Sequence, residues 1–154
     1  MTTKARQATE KSTDEPLVAK ASVSIKAYAS KVWDALVTPE IVKQYMFGTE
    51  VVSDWEQGGP IMWKGVWKGK PYEDKGTILQ IEPEKLLQYS HYSPTSGRPD
   101  KPENYHTVTC ELSSDGDETK VSLAQDNNAD EKAVEHSKQM WQQMLDGLKK
   151  VVES

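Results

Sequence analysis

From Asp130 to Val152 the chain keeps a rhythm of three and four. Val134, Met140, Trp141, Met144, Leu145, Leu148 and Val152 recur at that spacing, with Ser137 on the same stripe. Lys132, Glu135, Lys138, Gln142, Asp146 and Lys149 fall between them. One stripe is apolar and the other solvated, which predicts a long amphipathic helix. At 1.5 Å per residue it spans roughly 34 Å. Such a helix needs an apolar surface of similar length to lie on. Asn128, three residues before Glu131, is expected to cap it, and Lys149 and Lys150 suit the negative end of its dipole.

Upstream the rhythm is mostly two. Leu17 to Ala27 places Ala21, Val23 and Ile25 on one face and Lys20, Ser22, Ser24 and Lys26 on the other, a half-buried strand. Two short helices follow. Ser30 is placed to cap the first, with Val32, Trp33, Leu36 and Val37 on its apolar face. Thr38-Pro39-Glu40 opens the second, which carries Ile41, Val42, Tyr45 and Met46 and stops at Gly48. Strands are then expected around Val51–Trp55, Ile61–Lys68, Asp74–Ile81 and Lys85–Tyr92. Turns at Gly58-Gly59-Pro60, Gly69-Lys70-Pro71 and Glu82-Pro83-Glu84 separate them. Ser93 to Asn104 holds three prolines and a glycine and reads as a long loop. Tyr105–Leu112 and Lys120–Gln125 form a hairpin in which Val108, Cys110 and Leu112 face Val121 and Leu123. The order is strand, two helices, six strands, long helix. Short turns between successive strands imply an antiparallel meander in an α+β fold, with one sheet face buried by the last helix. A sheet of that size twists and curls, and a curled sheet gripping a helix leaves room between them.

At 154 residues the chain fits one domain, residues 17–154, after a tail of residues 1–16. That tail is nearly free of large apolar side chains and is expected to be disordered. The net charge of −5 disfavours wholesale binding to nucleic acid or anionic membranes. No apolar run approaches the ~20 residues of a membrane span, and no secretory signal is expected. One cysteine permits no internal disulfide and fits a cytoplasmic location. Five tryptophans stand against one phenylalanine.

Catalytic signals are weak. Cys110 lies mid-strand on an apolar face, as a buried structural thiol would, and no Gly-x-Ser-x-Gly elbow occurs. His91, His106 and His136 have no metal-ligand spacing, so no metal and no cofactor is expected. Lys64, Lys68 and Lys70 lie near Trp63 and Trp67, but Lys64 and Lys68 fall on the opposite strand face, so nucleic-acid stacking is not indicated. The aromatic and thioether set is more informative. Trp63, Trp67, Tyr89, His91, Met140, Trp141 and Met144 are all expected to face the space between sheet and helix. Tyr, His and Trp carry polar handles that need partners when buried, and Met adapts to variable shapes. Such a set suits a pocket for an apolar small molecule better than a dry core of Leu and Val.

The run Ala29-Ser30-Lys31-Val32-Trp33-Asp34-Ala35-Leu36-Val37-Thr38-Pro39-Glu40 resembles the opening motif of the Hsp90-ATPase-activator-homologue proteins of the START / Bet v 1-like superfamily. Gly58-Gly59, Gly76-Thr77-Ile78, Ile81-Glu82-Pro83 and Lys85-Leu86-Leu87-Gln88-Tyr89 extend the likeness, as does the last helix with Trp141. The resemblance implies a helix-grip fold, a curved antiparallel sheet of about seven strands wrapped around the C-terminal helix. It implies an internal cavity for lipids, sterols or polyketide-like molecules, and so non-enzymatic binding. Two alternatives come with it: a protein-interaction module serving an Hsp90-type chaperone, and a polyketide cyclase or aromatase. The namesake activators carry a further N-terminal domain, where this chain has only residues 1–16.

Overall fold

The computed structural model describes residues 17–154; the expected tail, residues 1–16, lies outside the described residues. Strand β1 (Ala19–Ile25) leads into helices α1 (Ala29–Val37) and α2 (Pro39–Tyr45). Strands β2 (Glu50–Ser53), β3 (Pro60–Trp67), β4 (Lys70–Glu82) and β5 (Leu86–His91) follow. After the proline-rich loop come β6 (His106–Asp115), β7 (Glu118–Gln125) and helix α3 (Glu131–Glu153). The seven strands form one antiparallel sheet in the order β1-β7-β6-β5-β4-β3-β2. The antiparallel meander expected from the alternation and the helix-grip fold implied by the resemblance are both present.

Register fixes which side chains meet. Cys110 pairs with Leu123 and Leu112 with Val121, so these side chains share the inner face. Leu87 and Tyr89 of β5, Ile78 of β4, Ile61 and Trp63 of β3 and Val51 of β2 continue that face, and all are buried. The β3–β4 hairpin is tighter than expected. Trp67 pairs with Lys70, leaving Lys68 and Gly69 as a two-residue turn in which both have positive φ, 52° and 79°. That geometry matches the right-handed twist of the strands. The turn therefore comes before Pro71, which lies within β4. Further along β4 the register shifts between Ile78 and Gln80. Here β4 and β5 approach so closely that a Cβ on Gly76 would lie 1.7 Å from the Ser90 carbonyl oxygen. This bulge bends the sheet.

Helix α3 buries Met144, Leu145, Leu148 and Val152. It leans along β1, and its polar side chains close that strand's open edge. Gln142 Nε2 donates to Ser22 O (3.0 Å), Lys149 Nζ to Ser24 O (2.7 Å), and Lys26 N–H to Glu153 Oε2 (2.8 Å). An edge so occupied cannot recruit another strand.

Two helix starts differ from expectation, and a third keeps its start but not its capping bond. Asp130, not Asn128, is the N-cap of α3, its carboxylate accepting from Ala133 N–H at 2.8 Å. Asn128 is buried and ties three segments together: its Nδ2 donates to Leu17 O (2.8 Å) and Gln125 O (3.1 Å), and its Oδ1 accepts from Ser137 Oγ (3.0 Å). Helix α1 starts at Ala29 with Tyr28 as N-cap, so Ser30 lies inside it and caps nothing. Thr38 precedes α2 as expected, with Pro39 in the first turn, but its side chain makes no capping bond.

Candidate ligand cavity

The inner face of the sheet and the helices above it enclose a cavity of about 40 Å³. Its floor is Ile61 and Trp63 of β3, Leu87 and Tyr89 of β5, Cys110 of β6 and Leu123 of β7. Its roof is Leu36 of α1, Val42 and Tyr45 of α2, and Met144 of α3. Met46, just past α2, and Trp55, in the β2–β3 loop, close it on the side where side chains are only half-buried. None of the lining residues carries a charge. The volume holds about one water and no larger guest, so the trough is nearly filled and the roomy hollow expected between sheet and helix is absent.

Polar atoms around the cavity differ in how they are satisfied. Tyr45 Oη donates to Ala35 O at 2.8 Å, which pins α2 to α1. Tyr89 is only 9% exposed and packs against Trp63, ring centroids 5.0 Å apart. Its hydroxyl has no hydrogen-bond partner among the described residues, yet neighbouring atoms do not seal it in. Tyr89 is one of the residues that line the cavity. Desolvation raises the Tyr89 phenol well above its usual range, with the Cys110 thiol adding to the shift; burial likewise pushes Cys110 up to about 12. Both groups therefore stay protonated and neutral.

Of the seven residues expected to face this space, Trp63, Tyr89 and Met144 line it. Trp67 and Met140 do not: they are 65% and 46% exposed. Trp67 shares strand parity with Trp63, but it lies at the hairpin tip where no helix covers it, and Lys68 Nζ sits 5.8 Å over its ring. Met140 sits a turn before Met144 on α3, at the solvated margin of the stripe. His91 and Trp141 lie on the inner side but outside the cavity, and both are bonded. His91 Nε2–H donates to Asp74 Oδ2 at 2.9 Å, with its ring edge-on to Trp63 and stacked on His106. Trp141 Nε1–H donates to Gln125 Oε1. Asp74 Oδ1 is enclosed without a partner among the described residues.

Sequence reasoning missed Tyr45, Met46, Trp55 and Cys110 as lining residues. For Cys110 the signal was present, since it alternates with Val108 and Leu112; Trp55, expected at the end of a strand, lies past it, because β2 stops at Ser53 and the backbone at Trp55 turns at φ 57°. A wider groove of about 790 Å³ is bounded by the β4–β5 turn, the start of α1 and β6. Its walls are mostly strand residues and polar, with Glu82, Glu84, Glu111 and three serines, and it is too open to keep a guest out of water. Among the described residues, no group of three or more His, Cys, Asp or Glu side chains could hold a metal, and no helix is long and apolar enough to cross a membrane.

Comparison with known proteins agrees with this geometry. The family model described as Activator of Hsp90 ATPase homolog 1-like protein matches residues 26–153. No curated protein matches the chain. Among solved structures, a Cytophaga hutchinsonii protein in solution is 57% identical, covering 88% of this chain and 93% of its own, with TM-score 0.78. The Aha1 dimer from Colwellia psychrerythraea is 19% identical, covers 88% and 96%, and has TM-score 0.69. CalU16 from Micromonospora echinospora is 21% identical, covers 90% and 85%, and has TM-score 0.68. The last two share the fold alone. With the family match running from the end of β1 to the last turn of α3, the chain belongs to the Activator of Hsp90 ATPase homolog 1-like family of the Bet v 1-like superfamily.

Proposed function

We propose that the protein binds a small, mainly apolar molecule between its sheet and its terminal helix, without chemical conversion. The observation that carries this is the cavity's rim. Met46 and Trp55 are half-buried and sit in connecting segments, while Met144 forms part of the roof. Thioethers reshape with little loss of packing, and loop residues move more readily than strands. A cavity of about 40 Å³ therefore represents the closed form, and a guest enters by displacing these side chains. The lining supplies no acid–base pair, which argues against a cyclase or aromatase. The single free cysteine, Cys110, fits residence in a reducing cytoplasm.

A panel of lipids and aromatic compounds tests this by thermal melting and amide NMR. Binding to the native state raises the melting temperature by mass action, by about 2.7 kcal/mol of stability at 100 times Kd. No shift in melting or in the amide signals of Tyr89 and Met144 across the panel would sink it.

A second reading has its own support. Phe47, Val52, Val66 and Trp67 are exposed around β2 and the end of β3, more apolar surface than a strand and hairpin edge needs. Together with the family's name, this favours a protein-interaction role, with an Hsp90-type chaperone as the partner to try first. Purified chaperone whose ATPase rate stays constant over a titration with this protein would remove it.

A further inference from the structure

Resting on the ligand-cavity reading, we infer the chemical class of the guest: an uncharged, compact, mainly apolar molecule whose inner end presents one carbonyl or hydroxyl oxygen to the Tyr89 hydroxyl. Three observations carry this. Tyr89 is nine-tenths buried and lines the cavity, and its hydroxyl has no partner among the described residues. A buried hydroxyl without a partner is destabilising, and a phenylalanine would have filled the same space without that cost. The other buried tyrosine of the cavity wall, Tyr45, shows the contrast: its hydroxyl is bound to Ala35 O and is unavailable to a guest.

The rest of the lining sets the charge. No acidic, basic or histidine side chain lines the cavity, and Asp74 and His91, neither of them lining it, bond to each other. A carboxylate or ammonium group entering here would lose its water and meet one neutral hydroxyl and one thiol. Tyr89 and Cys110 are held neutral by the same burial, so neither supplies a counter-charge. Trp63 and Tyr89, packed with their rings tilted at 49°, give the lining an aromatic wall.

The test uses three shape-matched probes on the full chain: acetophenone, ethylbenzene and benzoate, titrated at pH 7 with amide NMR. Expected for the natural protein is binding that moves the Tyr89 and Met144 signals, with acetophenone about tenfold tighter than ethylbenzene, the effect of one hydrogen bond. Benzoate is expected to bind at least about 100-fold more weakly than acetophenone. Tyr89→Phe removes a hydroxyl that holds nothing in place, so the fold survives, ethylbenzene binds as before, and the ketone preference disappears. Ethylbenzene equalling acetophenone in the natural protein, or a preference that persists in Tyr89→Phe, overturns the inference while leaving the cavity reading intact. Benzoate binding as well as acetophenone does the same. If none of the three moves the cavity signals, both the cavity reading and this inference fall.

Discussion

Replacing Asn128 with alanine should destabilise the protein more than removing the cap of its longest helix. Asn128 is 7% exposed and holds three segments at once: the chain entering β1, through Leu17 O; the end of β7, through Gln125 O; and α3, through Ser137. Three hydrogen bonds at about 0.5–1.5 kcal/mol each give about 2–4 kcal/mol, because the abandoned partners are poorly reached by water. Asp130 is the formal N-cap but is exposed, and its loss through Asp130→Ala should cost about 1 kcal/mol. For a domain of this length that corresponds to falls in Tm of about 6–12 °C and about 3 °C. Urea unfolding followed by circular dichroism measures both, with an unchanged slope showing that stability alone moved. A cycle with Ser137→Ala should return a coupling of about 0.5–1.5 kcal/mol. Equal losses for the two single variants, or a loss under 1 kcal/mol for Asn128→Ala, would show that the asparagine is not the clasp joining sheet to helix.

Cys110, its thiol pushed up to about 12 by burial, should resist iodoacetamide at pH 8 and react at least about 100-fold faster in urea; equal rates would place it at the surface. Asp100 is held below its usual value by hydrogen bonds from Lys75 and Tyr105, so its contribution is present above the unfolded carboxyl value near 3.8 and is lost as pH falls through the lower folded value. Asp100→Asn should therefore flatten the acid limb of a stability–pH curve below about pH 4 and change little in slope at neutral pH. Gly76→Ala should destabilise by upwards of about 3 kcal/mol, or leave no folded protein in an expression trial, since its Cβ would strike Ser90 O. Trp67→Ser and Met140→Ser should each alter stability by less than about 0.5 kcal/mol in the same urea assay, as exposed positions do.

The strands were legible because each carries its own evidence: Val108, Cys110 and Leu112 alternate whatever lies above them, and their partners Leu123 and Val121 do the same. Strand parity names a face but says nothing of what covers it. Trp63 and Trp67 share a face, yet one is in the core and the other beyond the reach of any helix. A helical stripe has the same blindness, which is why Met144 is buried and Met140 is not. Asn128 failed differently. Its type and spacing fit a cap, but its bonds to Leu17 and Ser137 exist only once β1 and α3 have met. The β3–β4 turn moved because Pro71 signals a turn locally, whereas Lys68 and Gly69 supply the two positive φ angles that the hairpin needs.

The position of α3 explains why most of the cavity wall was invisible in the pattern. A helix lying over the middle of the sheet would have put Met140 and Trp141 beside Tyr89, as the stripe suggested. Instead α3 runs beside β1, anchored through Gln142, Lys149 and Glu153 to that strand's edge. The floor at β3, β5 and β6 is then left to α2 and the β2–β3 loop, which supply Tyr45, Met46 and Trp55. These segments are short, and the helical spacing of Ile41, Val42, Tyr45 and Met46 does not by itself say what it covers. The proposed binding role requires the part of the wall in connecting segments, Met46 and Trp55, to yield while the part built from regular elements keeps its shape. Under the proposed binding role, a guest admitted at Met46 and Trp55 would reach Tyr89 at the inner wall without breaking a single strand pairing.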